Sequence, residues 1–311
     1  MTQALQNLFW ILIFPGFLFT VCLGLVASWI VRKVSALVQW RVGPPFLQPF
    51  YDVAKLMGKE VLIPEPAQRV VFQLAPVVGL AGVLLLSTML WRITIEPTKL
   101  FVGDIIVAIY LMVLPSLALI MGSSASASPH ASFGTSREMK LVMGYELALV
   151  LELIVVLIKS GGQLSLAAIA EQTPVLSISG FLAFLVALLC VQAKLGFVPF
   201  DIAEAETELG SGVLMEYSGA LLAVWKLVQA MLLVALPLFL VTVFLGGFTG
   251  ALWAGIVKYV IVLVLLILIK NTNPRVRIDQ AMKFFWSYCG VVMAIAIILA
   301  VLGNYYGLSW L

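Results

Sequence analysis

The sequence predicts an all-α, polytopic transmembrane helix bundle of eight spans, with an interfacial amphipathic helix in its first cytoplasmic loop. Three observations carry this. Of 311 residues, 63% are hydrophobic and 11% charged, where a soluble domain carries roughly 25% charged residues. That leaves too little polar side chain to cover a globule, which excludes a soluble, secreted, disordered or nucleic-acid-binding chain. The apolar residues fall in runs near the roughly 20 residues a helix needs to cross a bilayer, about twice the length of a barrel strand. Finally, Lys and Arg gather between alternate runs.

In order, the spans are Leu8–Val31, Val70–Trp91, Ile105–Met121, Leu141–Ile158, Ile178–Ala193, Gly219–Leu245, Ala251–Ile269 and Phe284–Leu308. The third, fourth and fifth are short and are expected to extend into flanking polar sequence. The sixth is long and contains Pro237, which predicts a tilt or kink. Residues 1–311 read as a single integral membrane domain. Met1–Asn7 holds no Lys or Arg, so no cleavable signal peptide is expected.

Orientation follows from the basic residues. Loop 1–2 holds Arg32, Lys33, Arg41, Lys55, Lys59 and Arg69; loop 3–4 holds Arg137 and Lys140. Lys194 lies in loop 5–6, and Lys270, Arg275, Arg277 and Lys283 in loop 7–8. The even loops hold only Arg92, Lys99 and Lys159. The odd loops are therefore expected to face the cytoplasm and both termini the outside. Lys226 and Lys258 lie within spans, where each either snorkels to an interface or pairs with a buried Glu.

In loop 1–2, from Phe46 to Val61, apolar Phe50, Val53, Met57 and Val61 recur at three- and four-residue steps. Gln48, Asp52, Lys55 and Lys59 take much of the other side. This reads as an amphipathic helix in the membrane interface, starting near Pro49 and ending before Pro64. The alternative is a helix packed on the subunit's own loops.

Ionisable groups near the membrane centre cost a few kcal/mol each and point to function. Glu138 precedes the fourth span, and Glu146 and Glu152 lie within it. Asp201, Glu204, Glu206 and Glu208 follow Pro199-Phe200, and Glu216 comes next. If that segment is helical, Asp201, Glu204 and Glu208 share a face and Glu206 points away. Like charges so close raise one another's pKa, which suits groups that take up and release protons near neutrality. The row reads as a proton relay or a cation well; the alternative is a solvated acidic loop paired with a partner subunit. Arg275 and Arg277 alternate with apolar residues just beyond the seventh span, as membrane anchors or as a docking surface.

Other chemistry is absent from the sequence. Cys22, Cys190 and Cys289 are scattered through apolar runs without C-x-x-C spacing, which gives no cluster or zinc site. The single histidine, His130, sits in what reads as a Ser/Ala-rich loop at 122–136 and is a weak ligand candidate. No Gly-rich phosphate loop, nucleophile elbow or H-E-x-x-H occurs.

At these motifs the chain resembles the complex I subunit 1 family, whose bacterial members are called the H subunit, almost end to end. Arg41-Val-Gly-Pro with Gln48, Asp52, Lys55, Lys59-Glu60 and Pro64 is similar to the family's first-loop signature. Tyr145-Glu146 is similar to its fourth-span motif, and Pro199-Phe-Asp through Glu216-Tyr-Ser-Gly to its acidic loop. Pro274-Arg-Val-Arg-Ile-Asp279-Gln and Trp286 resemble its last cytoplasmic loop. The family has two branches: quinone-chamber subunits of respiratory complex I, and membrane anchors of energy-converting [NiFe] hydrogenases and their sulfur-reducing relatives. Ser136-Arg-Glu-Met and the stretch from Gly122 to Gly134 are similar to the hydrogenase branch. Pro45 stands where complex I commonly has Asn, and these departures argue against a quinone site.

The resemblance implies an anchoring and coupling subunit of a membrane-bound [NiFe] hydrogenase, with ferredoxin-linked H₂ evolution driving H⁺ or Na⁺ translocation. It implies no redox centre on this chain. Nickel–iron and iron–sulfur centres would sit on a large and a small cytoplasmic subunit, and antiporter-like membrane subunits would move the ion. Glu138, Glu146, Glu152, Asp201, Glu204, Glu206, Glu208 and Glu216 would form the proton path. Arg41, Asp52, Lys55, Lys59, Glu60, Arg137, Arg275, Arg277 and Asp279 would dock partners. The alternatives are a complex I quinone-chamber subunit, the membrane subunit of a sulfane sulfur reductase, and a passive anchor whose acids only hold partners.

Overall fold

Helices take up the long apolar runs because a helix satisfies its own backbone hydrogen bonds where water is absent. A computed structural model of the chain describes residues 3–95, 103–204, 210, 212–248, 252–308 and 310–311, and no strand forms among them. In chain order the helices are α1 (Gln3–Leu12), α2 (Phe17–Val38), α3 (Gln48–Met57), α4 (Arg69–Ile95), α5 (Asp104–Ala125) and α6 (Pro129–Lys159). They continue as α7 (Leu166–Ala170), α8 (Ile178–Lys194), α9 (Gly219–Phe244), α10 (Leu252–Thr272), α11 (Ile278–Lys283) and α12 (Gly290–Tyr306). A π-helical turn, Phe284–Cys289, joins α11 to α12. Among the described residues seven helical stretches are long and apolar enough to cross a membrane.

The eight expected spans are found, with changes. The first is two helices, because Pro15 and Gly16 interrupt it between α1 and α2; proline removes a donor and clashes with the preceding turn. The third and fourth do extend, as α5 and α6. The fifth does not. Ser177 ends it by accepting from the Gly180 N–H at 3.1 Å, leaving α8 with 17 residues, about 25 Å of rise. Pro237 lies inside a continuous α9.

Two contact units divide the chain. The first gathers residues 1–91, 108–139 and 201–235, and the second 92–107, 140–200 and 236–311. In the first, α2 and α9 approach at a small-residue contact. A Cβ on Gly24 would lie 2.4 Å from the Ala230 carbonyl oxygen, so only glycine permits this crossing. Leu25, Leu227 and Ala230 form a buried cluster there, and Phe50 and Val53 of α3 pack onto it. The amphipathic helix is thus shorter than 46–61 and rests on the subunit's own spans. It ends at Gly58, whose N–H bonds Ala54.

The Ser/Ala-rich stretch 122–136 is not a loop. α5 and α6 run through it to leave residues 126–128 as the turn. Small side chains fit because Ser123 donates to the Ala131 carbonyl at 3.2 Å and Thr135 to Ser123 at 2.8 Å. A Cβ on Gly122 would meet the Tyr217 hydroxyl at 2.1 Å. Tyr217 stacks on Phe72 at 4.2 Å between centroids.

In the second unit α12 lies against α8. The first amides of α8 are capped from the chain's last residues: Ile178 N–H bonds Trp310 O at 3.0 Å and Ser179 N–H bonds Leu311 O at 3.1 Å. Buried Asp104 joins α5 to α7 by accepting from Leu166 N–H at 2.6 Å.

Candidate functional site

The fourth span and the end of the fifth meet in the second unit. Lys194, in the last turn of α8, pairs with Glu146 of α6. Its side chain is 2% exposed, and Glu146 is 18% exposed. The ammonium also lies 5.0 Å from the centroid of the buried Tyr145 ring, a favourable electrostatic contact. Two turns on, Glu152 is 1% exposed, and its Oε2 has no hydrogen-bond partner among the described residues. Lys194 and Glu146 both act on it electrostatically. One buried cation is therefore paired with a half-buried carboxyl and acts on a second, fully buried one. Such an arrangement holds one negative charge comfortably and a second only at a cost of several kcal/mol.

The segments that follow α8 and α10 reach this cluster through aromatic packing. Phe285 of the π-helical turn meets Tyr145 edge-on at 6.4 Å and Phe200 at 4.8 Å. Val276, between the two arginines, donates its N–H to Pro199 O at 3.0 Å. Arg275 is half-buried, and Arg277 and Asp279 are exposed at the start of α11.

The acidic segment is not helical where described. Residues 201–204 form an extended stretch and a bend. Carbonyls in and just before this stretch are claimed from outside: Ile202 O by Arg137 at 3.5 Å, and Pro199 O by Val276. The expected shared face of Asp201 and Glu204 is lost with the helix. Glu206 and Glu208 lie outside the described residues. In the first unit both oxygens of Glu204 accept from Gln229 Nε2, at 2.9 and 3.2 Å. Lys226 donates to Gln229 Oε1 at 3.2 Å, so the span lysine reaches Glu204 through an amide. Lys258 instead donates to Gly247 O at 3.1 Å. Glu138 lies within α6, and Glu138, Asp201 and Glu216 are half-buried.

The first-loop residues form an exposed surface. Asp52 pairs with Arg32 at 2.9 Å and accepts from Gln48 at 2.9 Å. Burial pushes its carboxyl up, but these bonds from Arg32 and Gln48 outweigh it and hold the pKa below the usual value. Arg41, Lys55, Lys59 and Glu60 are exposed, and Trp40 is 98% exposed. Lys33 donates to Val42 O at 2.6 Å and Trp29 to Pro44 O at 3.2 Å, which fixes the loop that presents Trp40.

The sequence reading missed Gln229 and Asp104. Lys226 and Gln229 are three apart, the spacing of helix neighbours, which was the available signal for Gln229. Nothing local marks Asp104, whose partner is 62 residues away.

Comparison with known proteins gives one answer on family. The profile of a family described as NADH dehydrogenase matches residues 10–301. The NADH-quinone oxidoreductase H subunit of Thermomicrobium roseum is 34% identical over 302 residues, covering 86% of this chain and 88% of that protein. The corresponding protein of Syntrophotalea carbinolica is 33% identical over 309 residues, covering 92% of this chain and 93% of that one. Among solved structures, a chain of the membrane-bound sulfane sulfur reductase, an archaeal respiratory membrane complex, matches with a TM-score of 0.81 at 26% identity. The match covers 91% of this chain and 96% of that one.

Proposed function

Because the chain belongs to the NADH dehydrogenase family of complex I subunit 1-like membrane proteins, we propose that it anchors and couples the catalytic module of a membrane-bound [NiFe] hydrogenase. The observation that carries the coupling role is the buried Lys194–Glu146 pair with Glu152 beside it. A cation paired with one carboxyl and close enough to a second to act on it offers two arrangements, and a change of field at either end can shift the balance between them. The Pro199–Val276 bond and the Phe200–Phe285–Tyr145 contacts offer the mechanical link from the cytoplasmic loops to that choice. In this reading, electrons pass from ferredoxin through nickel–iron and iron–sulfur subunits docked on the exposed loops, and this chain holds no redox centre. The displaced charge passes to antiporter-like subunits that move H⁺ or Na⁺. The odd loops face the cytoplasm, and both termini lie outside.

Two related readings have a specific observation each. Likeness to a chain of a sulfane sulfur reductase favours sulfur reduction by the same architecture. The names of the NADH-quinone oxidoreductase relatives favour a quinone chamber. Assaying the purified complex for ferredoxin-dependent H₂ evolution, sulfane reduction and quinone reduction separates the three. H₂ evolution unaffected by quinone-site inhibitors is expected. Sulfide formation without H₂ moves the assignment to the reductase, and inhibitor-sensitive quinone reduction moves it to complex I.

A further inference from the structure

At the Lys159 end of α6 two cavities adjoin, of about 570 and 620 Å³, both lined by Asn304 of α12. The first is polar. Its lining includes Lys159, Gln172 and Trp310 and no carboxylate side chain. Lys159 is half-buried, and its ammonium makes no ion pair or hydrogen bond among the described residues. The same holds for the side-chain amides of Gln172 and Asn304. Neighbouring groups are already taken: Ser177 donates to Pro174 O at 2.8 Å, and the first amides of α8 bond Trp310 and Leu311. What remains is an ammonium and two carboxamides, a donor set suited to an acceptor-only anion such as a phosphate diester.

The second cavity is apolar. Ile154, Leu157 and Ile158 of α6 face Val301 of α12 across it. Gly161 and Gly162 stand at its polar end with open space where a Cβ would be. A soluble anion would have no use for this groove, and an apolar peptide would have no use for Lys159. The junction falls at the end of two spans, where headgroup meets acyl chain, with Tyr305 and Trp310 exposed as interfacial aromatics.

We propose that this cleft between α6 and α12 binds one anionic glycerophospholipid, its phosphate on Lys159 and an acyl chain along Ile154, Leu157 and Val301. The site is independent of the coupling role, so either can fail alone.

The test uses the purified complex in nanodiscs carrying trace phosphatidylglycerol with a photoreactive group on the acyl chain close to its ester. Label is expected on 154–162 and 301–305. Lys159→Gln should cut it about fivefold, the loss of one lysine–phosphate contact, while Lys159→Arg retains it. Phosphatidylcholine with the same photoreactive chain should label about fivefold less. Equal labelling by the two headgroups, or unchanged labelling of Lys159→Gln, overturns the proposal. Full displacement of the lipid by inorganic phosphate makes the cleft an anion site and also overturns it. So does label absent from both segments and present on a partner subunit covering them.

Discussion

With 2% of its side chain exposed, Lys194 has the Glu146 carboxylate as its ion-pair partner at the end of the fifth span. Removing Glu146 alone takes the ion-pair carboxylate from a buried ammonium, a loss of up to about 3–5 kcal/mol, whereas removing both charges together is near neutral. Glu146→Gln is therefore expected to lower the thermal stability of the complex. Glu146→Gln/Lys194→Met should recover most of that stability and still lose coupled ion movement severalfold. Ion-flux and melting measurements on the two variants separate a coupling role from a structural one. Normal flux in the stable double variant would leave a passive anchor. A milder effect is expected at Asp52, which shares a partly exposed pair with Arg32. Its pKa in the fold lies below the unfolded value of 3.8, so the pair stabilises the fold above that pH and the benefit fades as pH falls through the lowered value. Asp52→Asn should thus loosen α3 by up to about 1 kcal/mol at pH 7 and by nothing at strongly acid pH. Hydrogen exchange of residues 48–57 at two pH values checks this. Tyr217 is different in kind: burial pushes its phenol up to about 12, so it remains a donor to Phe72 O, at 3.2 Å, over the whole neutral range.

Elements were legible where a single period governs them, and were lost where tertiary partners decide. The spans announce themselves because bilayer thickness fixes their length. α3 was legible as amphipathic because Phe50, Val53 and Met57 keep helical spacing. Its seat on Leu25, Leu227 and Ala230 was not, since that needs α2 and α9 brought together. The acidic segment misled for the opposite reason. Its spacing allows a helix, yet Val276 and Arg137 take the carbonyls that a helix would use. Likewise the small residues of 122–136 suggest a loop by composition, but act as contact surface, with Gly122 beneath Tyr217 and Gly134 beneath Val213. The α2–α9 crossing gives a sharp test of this kind of contact. Gly24→Ala places a methyl against the Ala230 carbonyl, where backbone and not a flexible side chain must yield. A loss of about 1–3 kcal/mol is expected, read as a lower melting temperature. Ala230→Gly should not rescue it, because the clash is with main chain. Unchanged melting of Gly24→Ala would mean that the two helices are not in register as described.

At the scale of the whole molecule, the sequence carries one global signal that no single contact repeats, the asymmetry of its basic residues. Of 18 Lys and Arg, thirteen fall in the odd loops and three in the even ones. Some of these belong to helix ends and not to loops: Arg32 and Lys33 lie in the last turns of α2, and Arg137 and Lys140 within α6. The sidedness argument survives that change, since it counts charge near the membrane boundary and not loop membership. It also places Lys159, the α6 residue at the far end from Arg137, on the opposite surface. Single cysteines in a background lacking Cys22, Cys190 and Cys289 test the arrangement with a membrane-impermeant maleimide on sealed cells. Gln6→Cys and Gln163→Cys, both at exposed positions, should label from outside. Lys59→Cys and Arg277→Cys, also exposed, should label only after permeabilisation. The four sites share no element, so a misfolded variant would fail singly while an inverted topology would exchange the two pairs together. External labelling of Lys59→Cys and Arg277→Cys, with Gln6→Cys and Gln163→Cys protected, would reverse the orientation. It would also put the proposed docking surface on the outer face of the membrane.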